Sequence, residues 1–423
     1  MTLIASMSAS NTKMEYPLPS GMHVVPSEQL DLRPDADIDV DLLHPPPVTG
    51  VKNIWFFWHS GYASMHPYTQ RTVRAWHRRF TKQGWIVRIT DRQPGSKGNI
   101  ANFVDVTDST LFPEAFTKGT LTGPYARQHT SDLVRWPLLL RYGGVYADVG
   151  MMQIGDLDGL WHATIANPDS PYEILSYAPS GAAHYSLCNY FLAALPDNAL
   201  FARCHRLLLA LWSVDGNRTT TEGMHANPLL RGVPLMGGEF TITEDDGTFI
   251  GPDEVSRMLT DYIIQGQVAT AVMGLVDAES NWDGPAYCME HFYAIEFMEG
   301  SQLVNELTAW NGQKAFDLLS LSLPEDGEKE DESQQQRQAR EIVEACLSRS
   351  FGFKLAHGLI LRVNRVTLGS LWRDNPGSDV VPGTYAAWLR HGIAYWCPDT
   401  IPDRVALPLL PPTKVGRLLE DTE

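Results

Sequence analysis

The chain has no apolar run approaching the roughly 20 residues that a membrane-spanning helix needs. Its longest plain candidate, Leu207 to Trp212, reads as part of an ordinary buried helix. The opening stretch, MTLIASMSASNTKMEYPLPSG, lacks both a basic region and a sustained apolar one, so no secretory signal is expected there. Cysteine is scarce: Cys188, Cys204, Cys288, Cys346 and Cys397 are scattered, odd in number and without a CxxC pair. That usage offers no zinc motif and suits a reducing compartment. Positive charge is also short, with 33 Lys and Arg against 50 Asp and Glu and a net charge of −17. Such a balance argues against nucleic acid and against an anionic membrane surface as partners. The absences together predict a cytoplasmic protein with soluble partners, in which the formal sequon Asn217-Arg218-Thr219 has no entry route to glycosylation. No internal repeat is apparent.

What is present is a globular composition, 43% hydrophobic over 423 residues, enough for one large α/β domain with insertions or two smaller ones. Residues 1–48 are rich in Pro, Ser and Asp and end in Pro45-Pro46-Pro47, which reads as an irregular N-terminal arm, with order beginning near Val51. Lys52 to Trp58 reads as a buried strand, Pro67 to Gln83 as a helix and Trp85 to Ile89 as a second strand. Strand, helix and strand in that length make a βαβ unit with a parallel sheet. Further on, the pattern predicts a strand at Tyr172 to Tyr177, a helical stretch from Cys188 to Trp212, and a helix opened by Gly251-Pro252. PEDGEKEDESQQQRQAR, about residues 324–340, reads as a solvated acidic insertion or an exposed helix start.

The most informative stretch is Gln128 to Asp148, QHTSDLVRWPLLLRYGGVYAD. Its first part has the apolar spacing of a helix, with Ser131 and Asp132 expected near the start and Gly143-Gly144 at the end. Asp132 and Arg135 are three apart and share a face. Pro137 either bends this helix or marks a later beginning. After the glycines, Val145 to Asp148 is a short β-rich run that leaves Asp148 at a strand's C-terminal end, where open α/β sheets hold their ligands.

Ser131-Asp132-x-x-Arg135 followed by Tyr142-Gly143-Gly144-Val145-Tyr146-x-Asp148 resembles the core of glycosyltransferases that carry a DxD sugar-binding region. These include the capsular-polysaccharide-synthesis type, fungal and bacterial mannosyl- or galactosyltransferase-like proteins and, more remotely, the glucosylating bacterial toxins. The resemblance implies an α/β, GT-A-like (Rossmann-like) fold, a mixed, mostly parallel sheet flanked by helices, with helical C-terminal additions. It implies a single domain over 49–423, its donor half about 49–180 and its acceptor and lid half about 181–423. The implied activity is hexosyltransferase-like transfer with retention, from a nucleotide-sugar, UDP-linked in preference to GDP-linked, to a soluble small-molecule or glycan acceptor.

By the same resemblance Trp58 stacks on the donor's base, Asp132 and Arg135 hold sugar hydroxyls, and Asp148 contacts the ribose or reaches a metal through water. Lys354-Leu355-Ala356-His357 resembles the basic or histidine element that closes the donor site, and Ser370-x-Trp372 the lid pair at the leaving phosphate. Each has a plainer reading. Trp58 is one of 12 tryptophans, Asp132 and Arg135 suit an exposed ion pair worth about 0.2–0.5 kcal/mol, Asp148 suits a turn hydrogen bond, and a lone histidine is often structural. If Asp132 and Arg135 line a ligand surface, substituting them weakens transfer with little loss of stability.

The chain departs from the family at Asp148-Val149-Gly150, where glycine replaces the second acid of DxD. Mg²⁺ and Mn²⁺ take oxygen ligands, and glycine supplies no side-chain oxygen. A cation held by Asp148 and His357 is therefore expected to be weakly bound or dispensable. Asp148, Lys354 and His357 are the expected catalytic groups, and Lys354, His357, Ser370 and Trp372 those that share charge on the leaving phosphate. The same departure leaves open a homologue that has lost transfer and performs other small-molecule chemistry or only binds ligand, and also hydrolysis of the donor alone.

Overall fold

Asn53-Ile-Trp-Phe-Phe is buried along its whole length, which suits a strand covered on both faces. In the computed structural model, which describes residues 15–214, 217–324 and 332–420, this segment is β1 (Asn53–Phe57) of a six-stranded sheet. Its companions are β2 (Ile86–Thr90), β3 (Gly144–Ala147), β4 (Ile174–Ala178), β5 (Phe191–Ala194) and β6 (Phe292–Glu296), in the spatial order β6-β4-β5-β3-β1-β2. β1 pairs in parallel with both β2 and β3, and β4 with β6, while β5 runs antiparallel to β3 and β4. The sheet is thus mixed and mostly parallel.

Alternate side chains of β1 enter different cores, as strand geometry requires. Trp55 and Phe57 pack with α3 (Ala126–Tyr142), α4 (Ala199–Ser213) and α6 (Ile264–Met273). Ile54 and Phe56 face α1 (Asp35–Leu43) and α2 (Pro67–Phe80) through Ile38, Val73 and Trp76. Between α4 and α6 in the chain comes α5 (Pro252–Tyr262), which begins at the proline as expected. A third core, built on Ile342, Trp372 and Trp388, gathers α7 (Gln334–Arg349), α8 (Leu368–Asp374) and the helix Tyr385–Tyr395. The C-terminal additions are therefore helical. Among the described residues no helix is long and apolar enough to cross a membrane.

Several local expectations need correcting. The stretch Cys188 to Trp212 is helical only from Ala199; Phe191–Ala194 is β5, and Pro196 with the Asn198 cap separates the two. Phe-Leu-Ala-Ala has no periodicity of its own, and its extended form comes from unpaired edges of β3 and β4 on either side. The N-terminal arm is not wholly irregular. Asp35 and Asp37 sit in the first turn of α1, where the helix dipole favours them, and Arg74 clasps Asp39 at 2.7 Å to fasten α1 onto α2. Earlier still, Met22–Val24 pairs with Trp396–Pro398, so order precedes Val51. The first part of the acidic segment, 325–331, lies outside the described residues. Its second part begins α7, with a Ser333–Gln336 capping box.

Candidate active site

The site is assembled at the C-terminal ends of β1 and β3, which are neighbours and parallel. Ile54 lies beside Val145 and Trp55 beside Tyr146; continuing that register brings Asp148 level with Phe57, next to Trp58. The two glycines at the start of β3, Gly143 just before it and Gly144 its first residue, make this approach possible. Gly144 has φ of +95°, and a Cβ there would stand 2.3 Å from the Asn53 carbonyl oxygen.

α3 starts at Ala126, a turn and a half earlier than expected, and continues through Pro137. Asp132 and Arg135 consequently occupy the middle of the helix, not its start, and both are buried. Ser131 is no cap; its hydroxyl lies 2.7 Å from Tyr146 Oη. Arg135 is the hub. Its Nη2 is 3.0 Å from Asp132 Oδ1 and 2.9 Å from Asp148 Oδ1, and its Nη1 donates to Asn189 O at 2.7 Å and Gln265 Oε1 at 3.1 Å. The guanidinium also lies over the Tyr146 ring, 5.0 Å from its centre. The pair is thus a buried bridge between two acids and not the exposed pair of the plainer reading.

Lys354 and His357 join this cluster from 200 residues further along the chain. The strand Gly352–Lys354 pairs antiparallel with Met151–Gln153, Lys354 opposite Met151, and Leu355 N donates to Gly150 O at 3.0 Å. Lys354 Nζ reaches Asp148 Oδ2 at 3.3 Å and lies over the Tyr190 ring. Burial works against the Asp148 carboxylate, but Arg135 and then Lys354 outweigh it and hold its pKa below the usual range. The His357 pKa is lowered as well, to about 3, by burial and then by the Lys354 charge, which for an imidazole means the neutral form.

Trp58 is half-buried, with Nε1 donating to Ser64 Oγ at 3.1 Å. A run of ring contacts, Trp58 to His66 to Tyr68 to His357, links it to the cluster. Ser370 and Trp372, the expected lid pair, are both engaged within the fold. Ser370 Oγ donates to Thr367 O at 2.8 Å and accepts from Thr367 N at 3.0 Å, so both its capacities serve the capping box of α8. Trp372 is 1% exposed and packed under Arg390. Ser370→Ala should therefore cost about 0.5–1.5 kcal/mol of stability, the net worth of a hydrogen bond, and leave ligand affinity unchanged. Urea unfolding beside a binding titration checks this, and a selective loss of affinity would return Ser370 to the site.

Sequence reasoning missed Asn189, Tyr190 and Gln265. The first two precede β5, whose antiparallel course starts it at this end of the sheet, and the Asp148 amide donates to Tyr190 O at 2.9 Å; reading that segment as helix concealed them. Gln265, fully buried in α6, also donates to Asp132 O at 2.8 Å. No local pattern announces a glutamine 130 residues from its partner Arg135.

A divalent ion does not fit the residues around Asp148 as they stand. Both carboxylate oxygens face cations, and Gly150 has no side chain; a Cβ there would meet His357 Nε2 at 3.1 Å and Lys354 Nζ at 3.5 Å. One neutralised carboxylate and one imidazole fall short of an oxygen-rich shell. Among the described residues, a grouping that could hold a metal is Asp31, Asp41 and His77, whose ligand atoms lie within 4.8 Å of one another. Arg33 already bonds both acids. The surface cavity beside them is lined by Ile86 and Val87, at the start of β2, and so lies at the opposite end of the parallel strands from Asp148.

Comparison with known proteins gives a match to the family described as capsular polysaccharide synthesis protein over residues 38–219. That span contains Asp132, Arg135 and Asp148 and ends before Lys354. The chain is similar to Glycosyltransferase afumC of Aspergillus fumigatus, at 34% identity over 84% of this chain and 88% of that one. It is similar to O-glycosyltransferase braB of Annulohypoxylon truncatum, at 33% identity over 90% and 88%. O-glycosyltransferase PaGT of Phomopsis amygdali matches at 30% identity over 88% and 89%.

Proposed function

This chain belongs to the glycosyltransferase family of these relatives, and from that membership we propose that it moves a sugar from a nucleotide-sugar to a hydroxyl of a soluble small-molecule or glycan acceptor, with retention. The donor is UDP-linked in preference to GDP-linked, and the setting is the cytoplasm, in keeping with five unpaired cysteines. The observation that carries the reading is the convergence of Asp132, Arg135 and Asp148 at the C-terminal ends of adjacent parallel strands, one of which leads into Trp58.

In this reading the architecture is GT-A-like, with residues of about 49–180 binding the donor and about 181–423 supplying the acceptor and lid side. Asp132 and Arg135 hold the sugar's hydroxyls, the acid accepting and the guanidinium donating. Asp148 meets the ribose, and Trp58 offers a flat face to the base. Relatives named O-glycosyltransferases support an oxygen acceptor. The rim adds positive charge suited to a diphosphate: Arg127 and Arg92, after burial, lower the pKa of His59 at the end of β1.

Trp58→Leu should weaken UDP binding by about 5- to 150-fold, the loss expected for one base stacked on an aromatic ring, with the fold retained. Calorimetry with UDP, GDP and ADP tests it. Equal affinity of wild type and variant for UDP removes Trp58 from the site. Product analysis with UDP-hexoses and hydroxylated acceptors separates transfer from hydrolysis.

A further inference from the structure

We propose, resting on the donor reading above, that the Lys354 ammonium is the resident cation of this site, standing where a divalent ion would otherwise neutralise the donor's diphosphate, and that Gly150 is the opening that lets it in. The observations come from both sides of the position. The chain after β3 turns at Asp148 and runs back as Met151–Gln153, and the strand bearing Lys354 is bonded to it, Leu355 N to Gly150 O at 3.0 Å. That pairing fixes the backbone of Lys354 against Gly150. The side chain then turns toward Asp148, with Nζ 3.3 Å from Oδ2 and 3.1 Å from Leu355 O. An ammonium has three donors, and two are so engaged.

A side chain at residue 150 would crowd this arrangement on its His357 side. The first atom of any side chain there would lie 3.1 Å from His357 Nε2 and 3.5 Å from Lys354 Nζ. Gly369 packs against the other side of His357, where a Cβ would stand 2.6 Å from Cε1, and the Tyr68 ring lies tilted beside it, 6.3 Å between centres. The charges alternate from Asp132 through Arg135 and Asp148 to Lys354 and sum to zero. A free divalent ion therefore finds no carboxylate without a cation, whereas an incoming diphosphate finds an N–H it can accept from.

In transfer, the bond from the anomeric carbon to the β-phosphate oxygen breaks with its electron pair on that oxygen. The acceptor oxygen bonds to the same carbon, and its proton passes to the departing phosphate. Lys354 stays an ammonium throughout and donates to the phosphate oxygen that gains charge, the kind of fixed electrostatic help whose removal costs about 10²–10³ in rate.

The test is calorimetry of the full chain with UDP and GDP, in EDTA and again in millimolar Mn²⁺. The wild type is expected to bind UDP in EDTA, with little change on adding Mn²⁺. Lys354→Met should weaken it by about 10- to 100-fold, as for loss of a charge-assisted hydrogen bond, and Lys354→Arg should recover most of it. Melting temperatures recorded for both variants separate this from unfolding; should Lys354→Met fail to fold, Lys354→Gln and Lys354→Arg carry the comparison. UDP binding that disappears in EDTA and returns with Mn²⁺ overturns the cation assignment and leaves the donor reading standing. So does wild-type affinity in folded Lys354→Met. Absence of binding by either diphosphate under all conditions overturns the donor reading, and this assignment with it.

Discussion

Arg135→Ala loses about 3–5 kcal/mol of folding stability, the cost of removing one partner from a buried ion pair, together with binding of the nucleotide-sugar. The figure falls toward the lower end because Asp148 is partly exposed and keeps Lys354. Two carboxylates would otherwise be left facing each other where one guanidinium had bridged them. Asn189 O loses a donor in the same step, and Gln265 Oε1 loses one of two, keeping Asn189 Nδ2 at 3.1 Å; an acceptor left without a partner adds to the loss. This outcome differs from the small loss of stability expected if Asp132 and Arg135 line a ligand surface, and the reason is that both are buried. Arg135→Lys keeps the charge but not the fork, so it should recover part of the stability and little of the ligand recognition. Urea unfolding at constant m-value reads the first effect and calorimetry the second. A loss below about 1 kcal/mol, the range of surface ion pairs, would show that the bridge does not hold the site together.

Gly144→Ala should be equally damaging, for a backbone reason. The residue sits at φ of +95°, with an added Cβ 2.3 Å from Asn53 O and 2.9 Å from Val51 O. Left-handed backbone in a residue other than glycine costs about 1–3 kcal/mol, and overpacking a tight contact about as much again. The clash is with backbone of β1, inside the central sheet, so no side chain can move aside to relieve it. A fall of about 2–6 kcal/mol is expected, seen as lost soluble yield or a lowered urea midpoint. Gly144→Ala with a wild-type midpoint would sink the argument. The Gly143-Gly144 pair belongs to the motif because it lets β3 enter beside β1. It need not touch a ligand to be required.

Much of the fold was legible because its signals are local. The apolar run of β1, the mixed face of α2 and the proline opening α5 each encode one element within its own residues. Spacing alone also put Asp132 and Arg135 on one face and Asp148 at a strand end. The parallel βαβ start followed from the same periodicities, and among the described residues no helix is long and apolar enough to cross a membrane.

Tertiary structure decided everything that depends on a partner far along the chain. Phe191–Ala194 is a strand because β3 and β4 both need a neighbour there, and that choice delivers Asn189 and Tyr190 to the site. Ser370 and Trp372 matched a short pattern, but hydrogen bonds to Thr367 claim the hydroxyl and a helical core claims the ring. Whether Asp132 and Arg135 were an exposed pair or a buried bridge could not be read from their spacing, since burial is set by what packs over a face. The meeting of Lys354 and His357 at Gly150 is likewise invisible in sequence. A glycine records only that a side chain is missing, and the fold supplies what occupies the space.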